Sequence, residues 1–162
     1  MTKIGIISDT HVGKNMDGIL EKVSNHFDGV DLILHAGDVT QQKVLDELST
    51  IAPVIAVKGN ADKLDLNATE IIIADNFKIV LNHGVGLSDD YDKLYDFGKV
   101  HGADIVITGH THKPHFKFKD NMCLVNPGSL NRPIDSNASV AILDIAKQEK
   151  LISNVKLNLI EL

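Results

Sequence analysis

Short apolar runs alternate with helix-like segments over residues 3–57, and few folds accommodate this order. Residues 3–8 form an apolar run, and the apolar residues that follow recur with the spacing of one helix face. The unit repeats with a strand over residues 31–35, a helix for which Thr40 is the N-cap candidate, and a third strand over residues 54–57. This order predicts a parallel sheet whose connecting loops gather along one edge.

The chain becomes rich in predicted strands after residue 69. The pattern indicates adjacent strands over residues 70–74 and 78–81, a helix over residues 88–100 and another strand over residues 104–108. Two hairpins are predicted after these, one over residues 116–119 with 123–125 and one over residues 139–145 with 151–157. No linker-like or repeated segment divides the sequence, so residues 1–162 are expected to form a single domain. The predicted fold is α/β, with a two-sheet β-sandwich flanked by helices.

Composition argues against several classes of function. The formal net charge is −6 and tryptophan is absent, which disfavours an extended nucleic acid surface. No apolar run reaches the roughly eighteen residues that cross a bilayer, and the N-terminus lacks a signal-peptide pattern. We therefore expect a cytoplasmic protein without a membrane partner. The single cysteine, Cys123, lies in an apolar run and is interpreted as a buried strand residue.

Polar clusters that adjoin small residues stand where the predicted strands end. They contain the candidate metal ligands, which are Asp9, His11, Asp38, Asn60, His83, His110 and His112. Carboxylate, amide and imidazole groups without a thiolate suit Mn²⁺, Fe²⁺, Zn²⁺ or Mg²⁺. Because the ligands are too numerous for one zinc ion, we expect a bridging carboxylate and two ions about 3.5–4 Å apart. Such a pair of ions is suited to phosphoester hydrolysis.

The motifs DxH, GD, GN, H and GHxH occur in that order from Asp9 to His112. Each motif taken singly has an ordinary explanation as a turn or a helix cap, and their complete order favours a metal site. In this pattern the chain resembles the calcineurin-like metallophosphoesterase family. It is most similar to the small phosphodiesterases of the YfcE and MJ0936 type, because GNxD replaces the GNH of larger relatives and NPGS follows GHTH, which extends the resemblance to Arg132.

The resemblance implies a role for each candidate ligand. Two groups of three ligands would each hold one ion and one carboxylate would bridge them: Asp9, His11 and His112; Asn60, His83 and His110; and Asp38 as the bridge. It also implies two divalent ions per chain, with Mn²⁺ expected and Ni²⁺, Fe²⁺, Zn²⁺ or Mg²⁺ as alternatives. A hydroxide held between the ions would then attack phosphorus.

Catalytic roles are expected for Asp38, Asn60, Asp62 and Arg132. Ala61 stands where larger relatives carry a histidine thought to assist the leaving group, which favours a small phosphodiester with a good leaving group as substrate. Asp62 is a candidate to orient Asn60, and a carboxylate that stabilises the turn is favoured over one that transfers a proton to the leaving group. Arg132 lies in a turn-rich loop, where it either contacts phosphate or forms a surface ion pair.

Other functions stay open from the sequence. A phosphomonoesterase would use the same ligands, although Ala61 argues against it. A non-catalytic scaffold is the second alternative, because the resembled family includes the retromer scaffold subunit, but the complete ligand set favours an enzyme. A homodimer is also considered, with the apolar C-terminal strands as candidate edges. His35 is interpreted either as a support of the site or as a packed core residue.

Overall fold

Ten strands in two sheets and three α-helices make up the computed structural model, which describes residues 1–12, 18–87, 89–146 and 150–162. In chain order they are β1 (Thr2–Ile7), α1 (Ile19–Val23), β2 (Leu32–His35), α2 (Gln42–Leu48), β3 (Val54–Ala56), β4 (Thr69–Ala74), β5 (Phe77–Asn82), α3 (Tyr91–His101), β6 (Ile105–Ile107), β7 (His115–Lys119), β8 (Met122–Asn126), β9 (Ser139–Ile145) and β10 (Val155–Glu161). No helix among the described residues is both long enough and apolar enough to span a bilayer.

The two sheets have five strands each, and both are mixed. The first has the order β10-β9-β1-β2-β3, and β1, β2 and β3 are parallel as the sequence predicts. The second has the order β4-β5-β6-β8-β7, in which β5, β6 and β8 are parallel and both edge strands are antiparallel to their neighbours. Parallel strands end on the same side of a sheet, so the loops that leave them can meet at one edge.

The sheets pack face to face through apolar side chains that alternate along the strands. Ile4 and Ile6 of β1 share this core with Ile79 and Leu81 of β5, and all four are fully buried. Cys123 lies in the same core, as the sequence predicts, and burial raises the pKa of its thiol to about 12. The opposite face of each sheet is left for the helices.

Helices cover the outer faces of the two sheets. Val23 of α1 and Val44 of α2 lie in one apolar cluster with Ile33 of the first sheet. Leu94 of α3 lies in another cluster with Val106 of the second sheet. The layers are therefore helix, sheet, sheet and helix, which confirms the predicted α/β sandwich.

The start of α2 differs from the prediction that Thr40 is its N-cap. The N-cap position is Gln41, whose side chain makes no capping hydrogen bond. Thr40 has a φ of 69° and donates its N–H to Asp62 at 2.6 Å. A contact with a distant carboxylate therefore decides the conformation of Thr40, and local capping does not.

The last strand also differs from its predicted bounds. The hairpin pattern indicates residues 151–157, whereas a 3₁₀ turn occupies Ile152–Asn154 and β10 begins only at Val155. Pairing with β9 sets this register, since Val155 lies opposite Ile145 and the ladder continues to the C-terminal end. Residues 147–149 of the predicted turn, Ser88 of the third predicted helix and Met16 of the first lie outside the described residues.

A glycine in α3 gives a test of how this helix packs. A Cβ added at Gly98 would lie 2.7 Å from Val106 Cγ2 and would also overlap Met122 Sδ. We expect Gly98→Ala to lower the free energy of unfolding by about 1–3 kcal/mol, although alanine favours helix by about 1 kcal/mol. Urea denaturation measures this change, with the exposed Val100→Ala as the control. A stabilised Gly98→Ala protein would contradict the packing of α3 on β6 and β8.

Candidate metal centre

The loop after β1 runs beside the loop after β2. The N–H of Asp9 donates to the carbonyl of Gly37 at 3.0 Å, and the N–H of His11 donates to the carbonyl of Asp38 at 3.1 Å. These bonds continue the parallel pairing of the two strands beyond their ends. The side chains at the two strand ends are thereby held in one place.

Five of the predicted ligands have a left-handed backbone conformation. Their φ angles lie between 40° and 69°, and the residues are Asp9, His11, Asp38, His110 and His112. This region is unfavourable for residues other than glycine and persists only where the surroundings enforce it, which is a frequent property of functional sites. The loops are therefore shaped to direct these side chains inward at a cost in local backbone energy.

Four of the predicted ligands form a first group. His11 Nε2 lies 3.2 Å from Asp38 Oδ2 and 3.7 Å from Asp9 Oδ1. His112 Nε2 lies 3.1 Å from Asp9 Oδ1 and 3.2 Å from His11 Nε2. One donor atom from each of the four residues lies within 4.8 Å of the other three. This spacing would allow all four residues to contact a single ion.

The remaining predicted ligands form a second group beside the first. His83 Nε2 lies 3.1 Å from Asn60 Oδ1 and 3.5 Å from Asp38 Oδ2. The ring of His110 packs on the ring of His83 with a centroid distance of 5.1 Å. The structure therefore brings all seven predicted ligands together, with Asp38 between the two groups.

The donor atoms fit a cation. His83 Nδ1 lies 2.7 Å from the carbonyl of Ala36, and His112 Nδ1 lies 2.5 Å from the carbonyl of Arg132. A carbonyl can only accept, so Nδ1 carries the proton and Nε2 of the neutral ring offers a lone pair. These lone pairs face carboxylate oxygens, and Asp9 Oδ1 is buried without a hydrogen-bond partner. Buried acceptors packed in this way require a positive charge among them.

The pKa shifts show the same demand for positive charge. Burial alone would raise the pKa of Asp38, but a hydrogen bond from the doubly protonated form of His83 and another from the N–H of Ala61 lower it to about 2. Burial would lower the pKa of His83, but its hydrogen bonds to Asp38 and Ala36 raise it. Burial lowers the pKa of His11, which favours the neutral ring that binds metals.

Only one of the two carboxylate oxygens of Asp9 accepts hydrogen bonds. Asp9 Oδ2 accepts from Ser8 Oγ at 2.5 Å and from the N–H of His110 at 3.0 Å, which leaves Oδ1 for a cation. A Cβ at position 109 would lie 2.6 Å from Asp9 Oδ2 and would overlap Ser8 Oγ. Gly109 is therefore required where the two sheets' loops meet.

Asp62 is fully engaged with backbone groups. Its Oδ1 accepts the N–H of Thr40 at 2.6 Å and its Oδ2 accepts the N–H of Gly59 at 2.8 Å. The carboxylate is buried and ties the loop of Asp38 to the loop of Asn60. This arrangement favours the turn-stabilising alternative for Asp62 over direct proton transfer.

His35 connects the loops that follow β1 and β2. Its Nδ1 accepts the N–H of Gly37 at 3.2 Å, so its proton lies on Nε2, which is 3.2 Å from Thr10 Oγ1. The residue is fully buried, and burial lowers the pKa of its ring to about 3. His35 therefore supports the site rather than only filling space.

The NPGS segment supports the centre from the second sheet. Asn126 Nδ2 donates to the carbonyl of Gly109 at 2.8 Å, and Ser129 Oγ donates to the carbonyl of Asp9 at 2.8 Å. Ser129 and Ser8 are not among the predicted site residues. The NPGS motif was a signal for Ser129, whereas nothing in the sequence distinguishes Ser8 from other serines.

Arg132 acts on the site in two ways, through its backbone carbonyl and through the charge of its side chain. Its carbonyl orients His112, as described above, and its side chain is exposed. Burial lowers the pKa of His11, and the positive charge of Arg132 acts in the same direction. Within the described ranges the guanidinium forms no ion pair, in contrast to the surface ion-pair alternative.

The fold and these loops define a class of protein, and sequence comparison identifies the same class. Residues 2–148 match the calcineurin-like phosphoesterase superfamily domain, so the chain belongs to that family. It is 40% identical to a probable metallophosphoesterase of Methanothermobacter thermautotrophicus, over 88% of this chain and 85% of the relative. It is 30% identical to phosphodiesterase MJ0936 of Methanocaldococcus jannaschii, over 91% of this chain and 95% of the relative.

Solved structures show the same architecture. Vps29 of Entamoeba histolytica, which was crystallised with zinc, is similar with a TM-score of 0.81 and 28% identity over 99% of both chains. A structurally characterised archaeal phosphodiesterase has a TM-score of 0.75 and 25% identity, over 98% of this chain and all of the other. The neighbours thus include both a named phosphodiesterase and a protein named for vacuolar sorting.

His35 predicts a specific pH dependence for the metal-free protein. Its pKa is about 3 in the folded state against 6.5 for the free side chain, so the unfolded chain binds the extra proton between these values. Stability is therefore lost as the pH falls below 6.5, by up to about 1.4 kcal/mol per pH unit from this residue.

Urea denaturation of metal-stripped protein at several pH values measures that slope. We expect His35→Gln to show a shallower loss of stability between pH 6.5 and pH 4, whereas the exposed His26→Gln keeps the slope of the unmodified protein. Equal slopes for all three proteins would contradict a buried, neutral His35.

Proposed function

We propose that this chain is a phosphodiesterase that uses two divalent metal ions, with Mn²⁺ preferred. The observation that carries the proposal is the position of Asp38 between the two donor groups. Its Oδ2 lies 3.2 Å from His11 Nε2 and 3.5 Å from His83 Nε2. A carboxylate shared in this way is what two neighbouring ions need for a common ligand.

Each donor group has a defined task in this proposal. The first group would hold one ion, the second would hold the other, and the shared carboxylate would be available to both: Asp9, His11 and His112; Asn60, His83 and His110; and Asp38. When bound, such ions lower the pKa of a water nucleophile and neutralise charge on the phosphoryl oxygens. The carbonyls of Ala36 and Arg132 keep the histidine protons on Nδ1, so that Nε2 stays the ligand atom.

The chemistry at residues 61 and 62 supports a substrate with a good leaving group, for which we propose a phosphodiester. Ala61 contributes only its backbone, whose N–H donates to Asp38 Oδ1 at 2.8 Å. Asp62 uses both carboxylate oxygens for backbone N–H groups. Neither residue offers an acid to a leaving group, so turnover depends on a leaving group that departs as a stable anion. Arg132 is suited to bind two phosphoryl oxygens, since a guanidinium presents parallel donors.

Turnover of paired chromogenic substrates tests the proposed activity. Metal-stripped protein resupplied with Mn²⁺, Ni²⁺, Mg²⁺ or Zn²⁺ is expected to hydrolyse bis(p-nitrophenyl) phosphate faster than p-nitrophenyl phosphate. Asp38→Ala removes the shared ligand and should lower kcat/KM for the diester by at least roughly 100–1,000-fold. Asp65→Ala, an exposed carboxylate after Asn60 in the chain, is the matched control and should retain activity.

The same experiment separates the enzyme from the non-catalytic alternative. The similarity to Vps29 supports a scaffold with this fold as the second candidate function. The enzyme is favoured because the chain retains every predicted ligand; the close spacing of Asp9, His11, Asp38 and His112 and the contact of His83 with Asn60 support it. Binding of metal without hydrolysis of either ester by any ion would overturn the proposed activity and favour the scaffold.

The role of Asp62 gives a second test. Asp62→Asn weakens two backbone contacts that position Asp38 and Asn60, and we expect kcat/KM to fall by about 10–100-fold. A positioning residue should produce the same loss for aryl phosphodiesters of every leaving-group pKa, and Asp65→Asn should produce none. A loss that grows with the leaving-group pKa would instead identify Asp62 as the acid.

A further inference from the structure

The sheets of the described structure end in four edge strands that differ in their protection. An exposed strand edge is a template for another chain, and proteins block it with lysines, short strands or covering segments. β3 has only three residues, β7 carries Lys117 and Lys119, and β10 carries Lys156. β4 has six residues, TEIIIA, and carries no lysine.

The outer face of β4 is apolar and exposed. Ile71 is 50% exposed and Ile73 is 67% exposed, while Ile72 between them points into the core and is 9% exposed. Among the described residues the strand pairs only with β5, in the hairpin that turns at Asp75 and Asn76. Two neighbouring β-branched residues on an unguarded edge are a known hazard for uncontrolled association.

We propose that β4 pairs antiparallel with β4 of a second copy of this chain across a twofold axis. The register centred on Ile72 places Ile71 opposite Ile73 of the second copy, and Glu70 opposite Ala74. Like charges do not face each other in this register, and the exposed isoleucines cover one another. The second sheet of one copy and the second sheet of the other copy, each of five strands, then form one continuous sheet.

The sequence of the edge strands favours β4 over the other edges for this contact. In β7, a twofold pairing centred on Lys117 places that residue against itself, and one centred on Phe118 places Lys117 against Lys119. In β10, Leu159 is 42% exposed and therefore has less apolar surface to cover than Ile73, which is 67% exposed. Of these edge strands, β4 is the one that can pair with itself without opposing like charges and that has the more exposed apolar side chains.

The contact leaves both metal centres open. Thr69 lies opposite Asn82, the residue before His83. The first residue of β4 is therefore close to the strand ends that carry the ligands. Antiparallel pairing about Ile72 then puts the two centres at opposite ends of the joined sheet. The dimer is therefore independent of the proposed activity.

The size of the contact sets its expected strength. A pair of six-residue strands covers less than the roughly 1,200–2,000 Å² of a standard stable interface. We therefore expect a reversible dimer that forms in the micromolar range rather than an obligate one. Analytical ultracentrifugation between about 1 and 200 µM should show a concentration-dependent shift from monomer to dimer.

Charged substitutions on the exposed face test the location. Ile73→Lys and Ile71→Lys are expected to raise the dimer Kd at least about tenfold, because lysine guards an edge strand. Leu159→Lys places the same change on β10 and should leave the Kd unaltered. Circular dichroism checks that each variant is folded, which the exposure of all three positions favours.

A disulfide tests the register. Directly opposite residues of antiparallel strands have Cα atoms about 4.5–5.5 Å apart, within the span of a disulfide. Ile72→Cys is therefore expected to give a covalent dimer on mild oxidation, whereas Ile160→Cys on β10 and the unmodified chain with its buried Cys123 do not. A protein that stays monomeric at all concentrations, or a dimer that only Leu159→Lys dissociates, would overturn the proposal.

Discussion

The parallel pairing of β1 with β2 determines where every other part of the metal centre lies. Ile7 stands opposite His35, and the backbone bonds continue past the strand ends, so that the carboxylates of Asp9 and Asp38 come within 4.8 Å of each other. Two ionised carboxylates at this distance repel each other strongly in a buried setting. The histidines from both sheets add lone pairs to the same space, and a cation among them would relieve the repulsion.

The arrangement also depends on residues that do not reach the centre. Left-handed backbone at the ligand positions costs roughly 1–3 kcal/mol per residue, and neighbouring groups must hold it. Asp62, His35 and Ser129 supply that restraint through hydrogen bonds to the backbone or side chains of the ligand loops. The loops are thus set in a metal-ready shape, which lowers the reorganisation that binding would otherwise require.

The second sheet both positions ligands of the metal centre and exposes an apolar edge strand. β5 leads directly to His83, and its hairpin partner β4 forms an edge whose outer face remains apolar. Because β4 begins near the centre and runs away from it, the proposed self-association through this edge would not approach the ligands. Substitutions in β4 would therefore leave the ligand loops unaltered.

Local sequence determined the early strands, the buried position of Cys123 and the candidate ligands, because strand periodicity and short loop motifs act over a few residues. Tertiary structure alone decided the start of β10, the conformation of Thr40, the exposure of β4 and the engagement of Asp62 with backbone N–H groups. These features depend on contacts between separate elements, such as the pairing of β10 with β9 and the bond from the N–H of Thr40 to Asp62, 22 residues apart. Pairwise contacts of that range leave no periodic pattern in the sequence, so only the packed sheets define them.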